Sequence, residues 1–394
     1  MKVKGFSASA VKAGIRYPDR FDLGLIYSDR PAVAAGVFTT NRVRAAPVQL
    51  DMERLRQGKA QAVLVNSGNA NACSGEQGME VALATGAMVA EALGIDEDLV
   101  QVASTGVIGE QLASGPFRDA MPELVKGLSA DGFDQLALAM MTTDTVPKTA
   151  SATVVLDGVE VSVLGVAKGA GMIMPDMATM LCFVVTDAQI VFPMLREIVK
   201  SGVDRSFNRI TIDGDTSTND MVLVMANGAA GNDWIDEDNS GALDIFSRAV
   251  YDIFRDLALK IVADGEGATK LVTVKVTGAR DEIGAVNAAR TIANSPLVKT
   301  AFFGEDANWG RIIAALGRSD CFFNPDRVAI SFNDILMVEN GIGLGGEAER
   351  AATRALQLKE FTVTIDLNDG NESAEVYTCD LSLDYVKINA DYRS

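Results

Sequence analysis

Residues 151–156 and 159–166 read as two alternating strands around Asp157-Gly158, a pair that accepts the left-handed backbone of a two-residue hairpin turn. Such a turn folds the chain back antiparallel to itself, which excludes an all-helical body and a purely parallel sheet. Helical patterns stand on either side. Residues 77–93 are rich in Ala, Leu, Met and Glu, with Gly94 as the stop, and residues 242–263 form the longest amphipathic stretch, closed by Asp264-Gly265. Apolar runs predict further strands at 62–65, 100–103, 180–185, 271–276, 328–332 and 361–367. No Pro/Ser-rich linker, low-complexity tract or fixed-period repeat interrupts the 394 residues. The expectation is one compact α+β body, with antiparallel sheets covered by helices.

Composition narrows the chemistry. With 53 acidic residues against 35 basic ones the formal net charge is −18, and no Lys/Arg run overrides it. That field repels nucleic acid and anionic lipid and favours solubility. The start of the chain leads into no apolar signal region, and no apolar run is long enough to span a bilayer. Four scattered cysteines form no C-x-x-C pair, so a cytoplasmic location is expected. There is no histidine at all. This excludes Ser-His-Asp and Cys-His catalysis and His-ligated zinc. A catalytic base would have to be a carboxylate, a lysine, a tyrosine or an α-amine.

Three segments compete as chemical sites. Asp236, Asp238 and Ser240 with Gly241 mimic the front of a calcium loop, but Ser247 stands where the bidentate Glu should be. An acidic turn capping the next helix is the better reading. The glycines of 165–171 around Lys168 lack the spacing of a phosphate-binding loop. In Lys168-Gly169-Ala170-Gly171-Met172-Ile173-Met174-Pro175-Asp176-Met177-Ala178-Thr179-Met180-Leu181, a Gly-rich, Pro-stopped loop runs through a small residue into Thr179 and an apolar strand. Thr179 could simply begin that strand. It could also attack the Ala178 carbonyl, shift the acyl group from N to O and, after hydrolysis, become a new amino terminus. Its own α-amine would then be the base for its hydroxyl, with no histidine needed. An oxyanion site is available at Thr105-Gly106, beyond the predicted strand 100–103, although an ordinary strand-end turn fits equally well.

At this point the motifs resemble a known family. Ala178-Thr179-Met180-Leu181 is similar to the self-cleavage site of the ornithine acetyltransferases, also called glutamate N-acetyltransferases. The resemblance extends through Asn66-Ser67-Gly68-Asn69-Ala70-Asn71-Ala72-Cys73, Met141-Thr142-Thr143-Asp144-Thr145 and Asp213-Gly214-Asp215-Thr216-Ser217-Thr218-Asn219-Asp220. It continues in Asp264-Gly265-Glu266-Gly267-Ala268-Thr269-Lys270, Asn308-Trp309-Gly310-Arg311 and Asn389-Ala390-Asp391-Tyr392-Arg393-Ser394, and so covers essentially the whole chain.

The resemblance implies a fold and a set of roles. The fold is a four-layered sandwich, two sheets between helix layers. It is cut into an amino-terminal polypeptide, 1–178, and a carboxy-terminal one, 179–394, which together form one interlocked unit. Thr179 is the implied nucleophile. Thr105 and Gly106 make the oxyanion hole, and Thr142, Lys168, Thr179, Glu266, Asn389 and Ser394 contact substrate. The implied reaction is a ping-pong transfer of acetyl from N-acetylornithine to glutamate in arginine biosynthesis. It needs no cofactor or metal, and the assembly is a heterotetramer of two cleaved pairs. Two functional types share these motifs, one of which also uses acetyl-CoA. This chain departs from the pattern at Asp176, where Asn is frequent, and at Ala307, where Pro is frequent. An amidase or aminopeptidase of related architecture, and a non-catalytic binding protein on the same fold, are the competing readings.

Overall fold

The computed structural model describes residues 1–174 and 180–391; Asp176, Ala178, Thr179 and Ser394 lie outside them. Among the described residues fifteen strands form two mixed sheets. The chain opens with β1 (Phe6–Val11), β2 (Leu23–Phe38), β3 (Lys59–Asn69) and β4 (Val100–Val107). Next come β5 (Lys148–Leu156), β6 (Val159–Lys168), β7 (Leu181–Thr186), β8 (Ile210–Thr211) and β9 (Met221–Ala226). The last are β10 (Leu271–Ala279), β11 (Ala329–Phe332), β12 (Ile335–Glu339), β13 (Ile342–Gly343), β14 (Glu360–Asp366) and β15 (Glu372–Cys379). The first sheet runs β4-β3-β2-β9-β7-β6-β5 with β1 paired to β2, and the second runs β13-β12-β11-β14-β10-β15-β8.

The helices are α1 (Ala46–Arg54), α2 (Gly75–Leu93), α3 (Gly115–Lys126), α4 (Phe133–Met140), α5 (Phe192–Arg205) and α6 (Ser240–Ala263). They continue with α7 (Glu282–Ala293), α8 (Pro296–Phe303), α9 (Trp309–Leu316), α10 (Gly346–Leu356) and α11 (Leu383–Asp391). None is long and apolar enough to cross a membrane.

Two sheets flanked by helices are the α+β class that the sequence predicts. The hairpin forms as read: Asp157 and Gly158 take φ of 51° and 86°, and Leu156 pairs with Val159. Gly94 ends α2 in the left-handed region, at φ 66°. The acidic turn before α6 folds on itself: Asp236 accepts the N–H groups of Asp238 and Asn239, and Asn239 caps the helix by accepting from Ala242. The sheets are less antiparallel than expected, because β3/β4, β7/β9, β10/β14 and β15/β8 all pair in parallel.

Strand β7 shows why the first sheet reads as plain apolar runs. Its Cys182 and Val184 pack with Ile198 and Val203 of α5 and with Phe246 and Phe254 of α6. Its Leu181, Phe183 and Val185 pack on the opposite face with Phe133, Leu136 and Met140 of α4. With both faces covered, no polar alternation survives. Strand β10 does alternate: Val272, Val274 and Val276 enter a separate core with α7, while Thr273 and Lys275 stay half-exposed. Helix α6 touches both sheets, since Tyr377 and Cys379 of β15 join its cluster. It thereby delivers the loop at its end, which carries Glu266, to the edge of the first sheet.

Candidate functional site

The site begins with a distortion. Strand β4 continues to Val107, so Thr105 and Gly106 lie within a strand and not in a turn beyond one. Opposite them β3 bulges at Gly68-Asn69. Gly106 has φ +133°, and a Cβ there would come within 2.3 Å of the Gly68 carbonyl carbon. Only glycine fits that approach. The bulge leaves Thr105 buried and the Gly106 backbone at the wall of a cavity of about 160 Å³.

Lys168, the last residue of β6, is 2% exposed, yet its side chain reaches the same cavity. Its ammonium donates to Thr142 Oγ1 at 2.8 Å and to Thr105 Oγ1 at 3.3 Å. Across the cavity stands Glu266, three residues past α6 and buried. Its N–H donates to the Ala170 carbonyl at 2.7 Å, and its carboxylate accepts from Asn389 Nδ2 at 2.7 Å. Asn389 is therefore part of α11 and of the site, not a fraying tail. Ser382 fastens the start of α11 by donating to the Gly267 carbonyl at 2.6 Å.

Six of the expected residues, Thr105, Gly106, Thr142, Lys168, Glu266 and Asn389, thus line one cavity. Ala178, Thr179 and Ser394 lie outside the described residues. A buried cation and a buried carboxylate lining so small a space suit a ligand carrying both charges, such as an amino acid.

Four supporting residues went unassigned in the sequence. Asn219 donates from Nδ2 to the Ala70 carbonyl at 2.6 Å and to the Ser104 carbonyl at 2.8 Å, tying the residue after β3 to the middle of β4. Asp213 accepts the N–H groups of Met172 at 2.6 Å and Ile173 at 2.8 Å, which shapes the glycine loop. Burial pushes its carboxyl up, against the pull of those N–H groups. Asp220 accepts the Met180 N–H at 2.9 Å, and full burial raises it well above the ordinary carboxylate range. Asp144 accepts from the Thr142 and Gly169 N–H groups and from Lys148. Burial would raise Asp144, but Lys168 and Lys148 hold it down to about 2. Burial lowers Lys168 in turn, and Asp144 opposes that. Asp144, Asp213, Asn219 and Asp220 all sit within the motifs, but an aspartate or asparagine among polar residues carries no local mark of burial.

The ArgJ family model matches residues 7–394. The arginine biosynthesis bifunctional protein ArgJ of Desulfotalea psychrophila is 59% identical over 394 residues, covering all of both chains. Its Geobacter sulfurreducens counterpart is 55% identical, again over all of both chains. Among solved structures, that of the arginine biosynthesis bifunctional protein ArgJ from Bacillus halodurans is 42% identical with a TM-score of 0.51, covering 53% of this chain and 98% of that one. The chain belongs to the ArgJ family, whose bifunctional enzymes are acetyltransferases of arginine biosynthesis.

Proposed function

We propose that this chain cuts itself between Ala178 and Thr179 and then carries acetyl from N-acetylornithine to glutamate on the Thr179 hydroxyl. The observation that carries this reading is the convergence of Thr105, Gly106, Thr142, Lys168, Glu266 and Asn389 on one cavity from distant parts of the chain. In the first half-reaction Thr179 Oγ attacks the acetyl carbonyl, its proton passes through the Thr179 α-amine to the leaving nitrogen, and ornithine departs. In the second, the glutamate amine attacks the acetyl ester, and the threonine alkoxide recovers the proton. Thr105 Oγ1–H and the Gly106 N–H face the oxyanion in both steps. Lys168 takes the substrate α-carboxylate, and Glu266, steadied by Asn389, takes an ammonium group.

The relatives' designation as bifunctional supports acetyl-CoA as a second donor. The length of the solved Bacillus halodurans chain supports the cut: it matches 53% of this one, much the share that residues 179–394 make up. A cytoplasmic heterotetramer of two such pairs, without metal or cofactor, completes the proposal.

Purified protein is expected to resolve by intact mass into two polypeptides, the second beginning Thr179-Met180-Leu181 on amino-terminal sequencing. A fully active enzyme that stays in one piece would overturn the self-cleavage half of the proposal. Parallel assays with N-acetylornithine and acetyl-CoA, each with glutamate as acceptor, test the donors. Product formed without glutamate, by transfer to water, would point instead to a hydrolase.

Gly171→Ala probes Glu266 without touching it. A Cβ at 171 would lie 2.4 Å from the Glu266 carboxyl carbon and must displace that side chain. The expected result is a KM for N-acetylornithine, whose side-chain ammonium stays free, raised by roughly tenfold, in line with losing a hydrogen bond to a charged group worth about 1.5 kcal/mol, and a smaller change in kcat. Saturation curves check it, and an unchanged KM would remove Glu266 from the substrate contacts.

A further inference from the structure

We infer that Asp144 is a positioning residue that fixes the place and the charge of Lys168 against the substrate carboxylate. The inference rests on the proposal that Lys168 binds that carboxylate. The Asp144 side chain is fully buried, and its two oxygens divide the work. Oδ2 accepts the Thr142 N–H at 3.1 Å and lies 3.9 Å from Lys168 Nζ. Oδ1 accepts the N–H of Gly169, the residue after Lys168, at 2.7 Å, and Lys148 Nζ at 2.8 Å. One carboxylate therefore grips the backbones on both sides of the Lys168–Thr142 contact. Lys148 passes the grip on, because it also reaches Asp264 Oδ2 at 2.6 Å, two residues before Glu266. The cationic and anionic walls of the cavity are thus tied together through Lys168, Asp144, Lys148 and Asp264.

A role in charge, and not only in packing, follows from what faces Lys168. Its hydrogen-bond partners Thr142 and Thr105 are neutral hydroxyls. Asp144 is the dominant favourable charge on it; Glu266 and Asp220 act more weakly in the same direction, and Lys148 acts against them. Burial disfavours an ammonium at 2% exposure, and the counter-charge offsets that cost. Without Asp144, burial and Lys148 both favour the neutral amine, which cannot pair with a carboxylate. Lys148→Met breaks the same network but takes away a repelling cation, so it favours the charged form.

The two substitutions therefore separate charge from architecture. Self-cleaved wild type, Asp144→Asn and Lys148→Met are compared by KM and kcat for glutamate over a range from neutral to alkaline pH. In Asp144→Asn the KM is expected to climb by roughly tenfold or more across that range, recovering at the lower end, with kcat changing less. In Lys148→Met the KM is expected to rise no more steeply than in wild type. A KM in Asp144→Asn that rises no more steeply than in wild type, or the same alkaline rise in both variants, overturns the inference. If Asp144→Asn does not fold, Lys148→Met decides alone: a pH profile no steeper than wild type supports the inference and a steep alkaline rise overturns it. Wild type that transfers no acetyl to glutamate defeats the proposed function itself, and the inference with it, and is told apart by that control.

Discussion

Thr179→Ala is expected to give one uncut chain with no measurable acetyl transfer. On the proposed mechanism, cleavage and turnover both need a nucleophilic oxygen at position 179, and both lose it. Removing the nucleophile of a hydrolytic triad elsewhere costs on the order of 10⁶ in kcat, and a loss of that order is expected here. Nothing nearby takes over. The chain has no histidine to activate another hydroxyl. Cys182, three residues on, is fully buried, and burial drives its thiol far above the ordinary range, away from thiolate. Thr179→Ser keeps the hydroxyl and should restore both events in part. Intact mass and an acetyl-transfer assay on the same samples check the result. Normal activity in Thr179→Ala would end the acetyl-threonine mechanism.

Thr105→Ala is expected to slow self-cleavage and to lower kcat of the matured fraction by roughly 10²–10³, or about 3–4 kcal/mol, with a smaller effect on KM. In the proposed mechanism both reactions place negative charge on a carbonyl oxygen attacked by the Thr179 hydroxyl, so one set of donors can serve both. The hydroxyl of Thr105 is suited to donate, because its oxygen already accepts from Lys168 at 3.3 Å and its hydrogen is left for the oxyanion. Thr105→Ser preserves that arrangement and should be milder. The deciding measurement is a time course of cleavage set beside turnover of matured Thr105→Ala. Normal rates for both would remove Thr105 from the oxyanion hole. Slow cleavage with normal turnover would mean that other donors replace it once the chain is cut.

What could be read in advance follows from how local each signal is. The β5–β6 hairpin was legible because two adjacent residues dictate it. Helix α6 and strand β7 announced themselves by periodicity and by an unbroken apolar run. Strand β2, at sixteen residues, did not. Its middle, Asp29-Arg30-Pro31, is exposed, and its register against β3 shifts between Tyr27 and Ala32. Proline is tolerated at such an irregularity, but in the sequence it looks like a break. The parallel β3/β4 pair depends on packing among distant elements, which no short pattern encodes. The motifs contain Lys168, Glu266 and Asn389, which line the cavity, but not the contacts that place them there. Asn219 reaches Ala70 across 149 positions, and Asp220 holds Met180 across 40, so no spacing rule flags either.

The order of the first sheet bears on what the proposed cut would produce. A break between Ala178 and Thr179 would fall between β6 and β7, which are hydrogen-bonded neighbours from Val163↔Thr186 to Lys168↔Leu181. Strands β7 and β9 lie between β6 on one side and β2 on the other. Each product of the cut would therefore own only part of a single continuous sheet. To part them, the ladder on both flanks of β7 and β9 must be torn open and the apolar faces of the sheet bared to water. Dissociation of the pair is then the same event as unfolding. Dilution would not inactivate the enzyme by parting the two polypeptides, and each expressed without the other would be left with open strand edges, prone to aggregate.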